Sequence, residues 1–310
     1  MSTIRTALLA SAFVLATVPA FAAGCDKVTF ADVGWTDITA TTATASVILQ
    51  ALGYETDTKI LSVPVTYQSL SVGDIDVFLG NWMPTMESYI APFRAAGTVD
   101  TLGPNLTGAK YTLATNDAGK ALGIKDFADI AKNSDALEGK VYGIEPGNDG
   151  NKIILDLIAK DVAGMGKMTL VESSEQGMLA QADRLTKRDK PIIFLGWAPH
   201  PMNSQFNITY LTGGDDTFGP NYGGAEVFTN TRKGFVAECT NTGKLIQNMT
   251  FSLGMENDIM GAILNDGTDP AAAAKTWLAA NPDVLTKWLD GVTTKDGGDA
   301  MAAVKAALAA

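Results

Sequence analysis

Histidine and cysteine are nearly missing from this chain, whose 310 residues include one histidine and two cysteines. Metal centres built from clustered imidazoles and thiolates have no ligand set here, so no metal is expected. A serine-histidine mechanism would rest on His200 alone. No G-x-S-x-G elbow, P-loop or G-x-G-x-x-G turn occurs, which removes the usual signatures of hydrolases, phosphate cradles and dinucleotide cofactors. No catalytic residue and no cofactor is therefore assigned. Positive charge is also sparse: Lys and Arg total 23 against 34 Asp and Glu, for a formal net charge of -11. With no basic run to meet phosphates, a nucleic-acid partner is not expected.

At its start the chain carries Arg5, the apolar run from Ala7 to Ala16, and then Ala20-Phe21-Ala22. These are the parts of a secretory leader over residues 1–22, cleaved near Ala22. Its apolar stretch is too short to span a bilayer, and no other stretch reaches the required ~20 apolar residues. Ala22-Ala23-Gly24-Cys25 lacks the large aliphatic residue of a lipoprotein box. Export to an oxidising compartment predicts that Cys25 and Cys239 pair as a disulfide. The remaining chain, 46% hydrophobic overall, is long enough for one large or two medium domains.

The order of elements is that of an α/β protein. Val28 to Val33 reads as a strand, Ile38 to Leu52 as a helix closed by Gly53, Ile60 to Pro64 as a second strand, Thr66 to Ser71 as a short helix and Ile75 to Leu79 as a third strand. Later, Lys110 to Ala114, Lys140 to Ile144 and Pro191 to Leu195 read as strands. The turn Glu145-Pro146-Gly147-Asn148-Asp149-Gly150 opens a helix with Ile153, Ile154, Leu157 and Ile158 on one face. Such alternation predicts mostly parallel sheets flanked by helices. The turn-rich stretches Leu102 to Gly108 and Gly213 to Pro220 read as two crossings between lobes. One lobe would combine residues 24–108 and 211–310, and the other would hold residues 109–210. The Cys25–Cys239 bridge would then lie within one lobe and leave the hinge free.

Two segments repeat one idea: Val77-Phe78-Leu79-Gly80-Asn81-Trp82-Met83-Pro84 and Ile193-Phe194-Leu195-Gly196-Trp197-Ala198-Pro199. Each places a tryptophan just past the carboxyl end of an expected strand, and Gly34-Trp35 does the same after the first strand. In open α/β sheets that edge is where ligands bind. Trp277 and Trp288, in the alanine-rich C-terminal helices, are assigned to packing. Aromatic side chains converging from two lobes make a box for a quaternary ammonium, which has no N–H to donate and spreads its charge over methyl groups. Aromatic faces supply both apolar contact and negative quadrupole.

Gly34-Trp35-Thr36-Asp37, Gly80-Asn81-Trp82-Met83-Pro84, Lys110-Tyr111-Thr112, Gly147-Asn148-Asp149-Gly150 and Gly196-Trp197-Ala198-Pro199-His200 carry a resemblance to a known family. In order and spacing they resemble the glycine betaine/choline substrate-binding family of bacterial ABC importers, its choline binders in particular, over nearly the whole mature chain. That resemblance implies a two-lobed periplasmic binding protein fold, each lobe a mostly parallel sheet flanked by helices, closing on ligand through two hinge crossings. It implies that Trp35, Trp82, Tyr111 and Trp197 wall the trimethylammonium while Asp37 and Asn148 hold the hydroxyl. It also implies a monomer in the periplasm that hands choline to a membrane permease with its ATPase subunit.

The residues by themselves leave other roles open. Tyr111 could pack within its strand, Asn148 could shape its turn or cap the following helix, and Asp37 could be the N-cap of the first long helix. His200, between Pro199 and Pro201, reads as a packed or hydrogen-bonded loop residue. Asp37 favours choline over glycine betaine, because a hydroxyl donates to a carboxylate and a second carboxylate is repelled by it. Glycine betaine or another quaternary ammonium is the alternative ligand. A polyamine binder would want several carboxylates for its N–H groups, and an exported choline-ester hydrolase would lack a base beyond His200.

Overall fold

The structure is a computed structural model that describes residues 25–309, so the expected leader lies outside the described residues. Nine strands form one bent sheet: β1 (Lys27–Asp32), β2 (Glu55–Ile60), β3 (Val77–Met83), β4 (Val99–Thr115), β5 (Lys140–Tyr142), β6 (Thr169–Val171), β7 (Ile193–Ala198), β8 (Thr209–Tyr210) and β9 (Gly224–Arg232). Their order is β2-β1-β3-β9-β4-β7-β5-β6, with β8 beside β4. Two parallel sets stand at the ends, β2-β1-β3 and β7-β5-β6, and the antiparallel pair β9 and β4 joins them. This is a two-lobed α/β architecture.

The second strand is not where the hydrophobic pattern puts it. Residues 55–59 are polar, and the strand is mostly solvent-facing because β2 is the sheet's edge, where charged side chains discourage further pairing. Val63–Val72, by contrast, is a helix that opens with Pro64 in its first turn, a position where the missing N–H costs no hydrogen bond.

Residues 102–108, expected as a turn-rich break, are part of the 17-residue β4. Gly103, Pro104 and Gly108 mark slips in register rather than a loop: the β4–β9 pairing shifts between Thr101 and Pro104, Pro104 and Leu106, and Leu106 and Ala109. These slips let one strand leave the first set and pair with β7 over Lys110–Thr115.

Helix Thr36–Ala51 follows β1 and buries most of its surface under the C-terminal helices Leu253–Asp266, Pro270–Ala280 and Ala300–Leu308. In the other half, helix Asp149–Ala159 buries Ile154 and Leu157. Residues 211–218 bond to that same half: Leu211 N–H donates to the Leu113 carbonyl, and Phe218 packs edge-on against Tyr111 and Phe127. The Cys25–Cys239 disulfide is present, with Cα atoms 5.3 Å apart, and joins the start of β1 to the helical turn that follows β9.

Candidate ligand site between the lobes

Trp82 and Trp197 are the penultimate residues of β3 and β7 rather than the first residues beyond them. The glycine ahead of each is required by packing. A Cβ at Gly80 would stand 2.7 Å from Ile38 Cδ1, and one at Gly196 would stand 2.8 Å from Ala114 Cβ. Both strands then end in a Pro turn, Met83-Pro84 and Ala198-Pro199, each a cis peptide. Trp35 lies in the turn after β1 as the N-cap residue of helix Thr36–Ala51, and Tyr111 lies on β4, the strand the halves share.

These elements deliver Trp35, Asp37, Trp82, Tyr111, Ile144 and Trp197 to one narrow cavity between the halves. Trp35, Asp37 and Trp82 come from the β1–β3 half; Ile144 and Trp197 come from the β5–β7 half. The Tyr111 ring centroid is 5.9 Å from that of Trp82 and 6.3 Å from that of Trp197.

Polar atoms at the edges of the rings are tied down, which fixes the rings and leaves carbon to line the space. The Trp35 indole N–H donates to Glu145 Oε1 at 2.9 Å, the Trp82 N–H to Asp37 Oδ2 at 3.1 Å, and the Tyr111 hydroxyl to Asn148 Oδ1 at 3.1 Å. Asp37 is buried in the first turn of its helix but does not cap it. Its second oxygen, Oδ1, has no hydrogen-bond partner. Burial, and then the negative charge of Glu175, push the Asp37 carboxyl up to about 8. An almost wholly apolar cavity thus contains one acceptor that wants a donor or a positive charge. Its lining is four aromatic side chains, Ile144 and the Asp37 carboxyl.

Asn148 is not part of the cavity lining. It is the N-cap of helix Asp149–Ala159, where Oδ1 also accepts from Asn151 N–H at 3.0 Å and the amide donates to Asp149 Oδ1 at 3.1 Å. His200 likewise stands behind the wall: its Nδ1 accepts from Met202 N–H at 3.0 Å, and its ring meets Trp197 edge-on at 5.0 Å. Trp288 packs on Phe251, and Trp277 bonds to Asp258, both away from the cavity.

The hydrophobic pattern passed over Ile144 and the carboxylates that surround the box. Burial raises Glu145 to about 7 and Asp149 to about 6, and burial followed by the charge of Asp37 raises Glu256. Glu145 and Asp149 sit in a turn conspicuous for its glycines. Glu175 and Glu256 lie in the first turns of ordinary helices, and nothing local marks them.

Residues 26–280 match the family of substrate binding domains of ABC-type glycine betaine transport systems. A solved ABC-transporter choline binding protein in complex with choline is 65% identical, with 92% of this chain and 98% of that one covered and a TM-score of 0.90. An ABC-transporter choline binding protein in an unliganded semi-closed conformation, also 65% identical over 92% and 99% of the chains, superposes with a TM-score of 0.84. The glycine betaine/carnitine transport binding protein GbuC of Listeria monocytogenes is 34% identical over 131 residues, 42% of either chain.

Proposed function

The chain belongs to the family of substrate-binding domains of ABC-type glycine betaine transport systems, and from that premise we propose that it captures choline in the aromatic cavity and presents it to a membrane permease driven by an ATPase. The observation that carries this reading is the unpartnered Asp37 Oδ1 inside a cavity otherwise made of aromatic and aliphatic carbon. Choline matches both features. Its trimethylammonium takes aromatic faces at every side, and its hydroxyl donates to Asp37. The 65% identity to a protein solved with choline supports the same choice.

Trp35, Trp82, Tyr111 and Trp197 are assigned to the ammonium and Asp37 to the hydroxyl proton. Asn148, expected to hold the hydroxyl, is assigned instead to positioning Tyr111, whose hydroxyl donates to its Oδ1. The lobes are assigned as residues 25–108 with 224–309, and 109–223. The second boundary falls near Gly219 to Gly224 rather than at 211, because residues 211–218 bond and pack with Leu113, Tyr111 and Phe127. The leader-like N-terminus and the disulfide support a periplasmic location.

A ligand of about seven heavy atoms has a ceiling near 10 kcal/mol, and real complexes fall below it, so a dissociation constant of about micromolar order is expected. Glycine betaine is the second reading, and the raised Asp37 carboxyl favours it in one circumstance: while protonated, it donates to the betaine carboxylate. Calorimetric titrations with choline, glycine betaine, acetylcholine and putrescine at pH 6 and pH 8 decide the matter. Choline should bind most tightly at both. Betaine binding that exceeds choline binding, and strengthens toward acid, would replace choline by betaine.

A further inference from the structure

We propose that Glu175 is the latch that holds the lobes closed over the ligand, through a carboxylate that receives the first residue of the opposite lobe's long helix. Glu175 begins helix Glu175–Thr186, and its side chain is fully buried although it lines no part of the cavity. Two of its three donors come from the opposite lobe. Thr36 donates its backbone N–H to Oε2 at 2.9 Å and its hydroxyl to Oε1 at 2.5 Å. Thr36 is the first residue of helix Thr36–Ala51, and no side chain of its own segment caps that helix. Glu175 therefore satisfies, from 139 residues away, an N–H that a helix start otherwise leaves to water. That helix start carries partial positive charge toward it, which favours a buried carboxylate there.

The third donor ties the latch to the wall of the box. His200 Nδ1 accepts from Met202 N–H, so the ring proton sits on Nε2 and points to Glu175 Oε1 at 3.2 Å. The same ring braces Trp197. On the other side Thr36 lies between Trp35 and Asp37 in the chain. Pulling the lobes apart breaks both Thr36 bonds at once and releases the two aromatic walls. Bonds that lobe opening must break slow ligand escape and leave ligand entry nearly untouched. Glu175 is a positioning residue rather than a ligand contact.

This inference rests on the proposed capture of a quaternary ammonium between closing lobes. It is tested by stopped-flow association and dissociation of choline and of glycine betaine for the full mature chain, Thr36→Val, Glu175→Ala, Glu175→Gln and the Thr36→Val/Glu175→Ala double variant. Thr36→Val keeps the charge of Glu175 and removes one donor, so it separates the latch from simple attraction of the cation. Dissociation should quicken about 10-fold in Thr36→Val and about 10- to 100-fold in Glu175→Ala, the scale for hydrogen bonds to a charged group. Association should change less than 3-fold or so, and the double variant should be no faster than Glu175→Ala. Glu175→Gln, which keeps an acceptor for the Thr36 hydroxyl, should recover part of the loss. The ligand-free melting temperature of Thr36→Val should match that of the parent. Parental dissociation rates in Thr36→Val, or effects that simply add in the double variant, overturn the latch while leaving choline capture intact. A parent chain that binds neither ligand overturns both.

Discussion

Trp197 and Trp288 are equally hidden, at 4% and 2% exposure, yet their surroundings differ in kind. Trp288 is covered by protein on every side: Phe251 meets its ring at 5.9 Å and its N–H donates to the Thr250 carbonyl. Trp197 and Trp82 border space that no side chain fills, and a bare carboxylate oxygen faces that same space. Burial alone does not separate an aromatic packed on all sides from one that borders a cavity. What separates them is whether the ring's contacts are completed within the chain or left for another molecule.

The sharpest break in that comparison comes from Trp288→Ala, which should lower the stability of the ligand-free protein by about 3–5 kcal/mol, the usual cost of emptying a large aromatic site. Its choline affinity, measured by calorimetry below the melting transition, should stay within a factor of two or so of the parent. Trp82→Ala and Trp197→Ala should do the reverse. Each is expected to weaken choline binding by about 3 kcal/mol, roughly 2 for a cation over a desolvated ring and the rest for lost apolar contact. Their ligand-free melting should move less than that of Trp288→Ala. Similar affinity losses in all three would erase the distinction.

Asp37→Asn refines the comparison on the polar side. Choline affinity should fall by about 1.5–3 kcal/mol, since the amide offers no charged acceptor, while betaine should lose less or gain. Titrating both ligands into the variant reads this directly; equal losses for the two would remove the hydroxyl from Asp37.

A smaller effect concerns the empty protein and pH. Asp37, pushed up to about 8 mainly by burial, is faced by Glu175 and Glu256, both acidic, and by the Trp82 N–H. When the lobes part and water reaches the group, its pKa returns toward the ordinary ~3.9. The closed empty form therefore binds more protons than the open one. Its stabilisation is complete below about pH 4 and disappears as pH rises through about 8. Ligand-free protein should be slightly more compact by small-angle scattering at pH 5 than at pH 8, and choline, which brings its own positive charge, should remove the difference. Asp37→Asn should flatten the pH response; a response unchanged in that variant would assign it to Glu145 or Asp149.

Much of this molecule was legible in the order of its residues, because local patterns report local geometry. Alternating β-branched and aromatic residues announced β1, β3 and β7, Gly53 closed the first long helix, and two glycine-tryptophan-proline endings marked the same sheet edge twice. Export chemistry was enough to pair Cys25 with Cys239. The polar edge strand β2 escaped that reading, since a strand at the rim has no buried face to write into its sequence. The glycines and proline of residues 102–108 suggested a loop, because turn residues and register slips look alike until the partner strand is known.

By itself, then, the sequence determined the residue types of the box and the strands that carry them. Only the tertiary structure decided which acceptor is left without a partner and which carboxylate spans the lobes. Asp37 takes its bond from Trp82, 45 residues on, and Glu175 takes two from Thr36, 139 residues back. Contacts of that range depend on how β4 and β9 bend the sheet, and side chains that meet only through that bend leave no period or spacing along the chain.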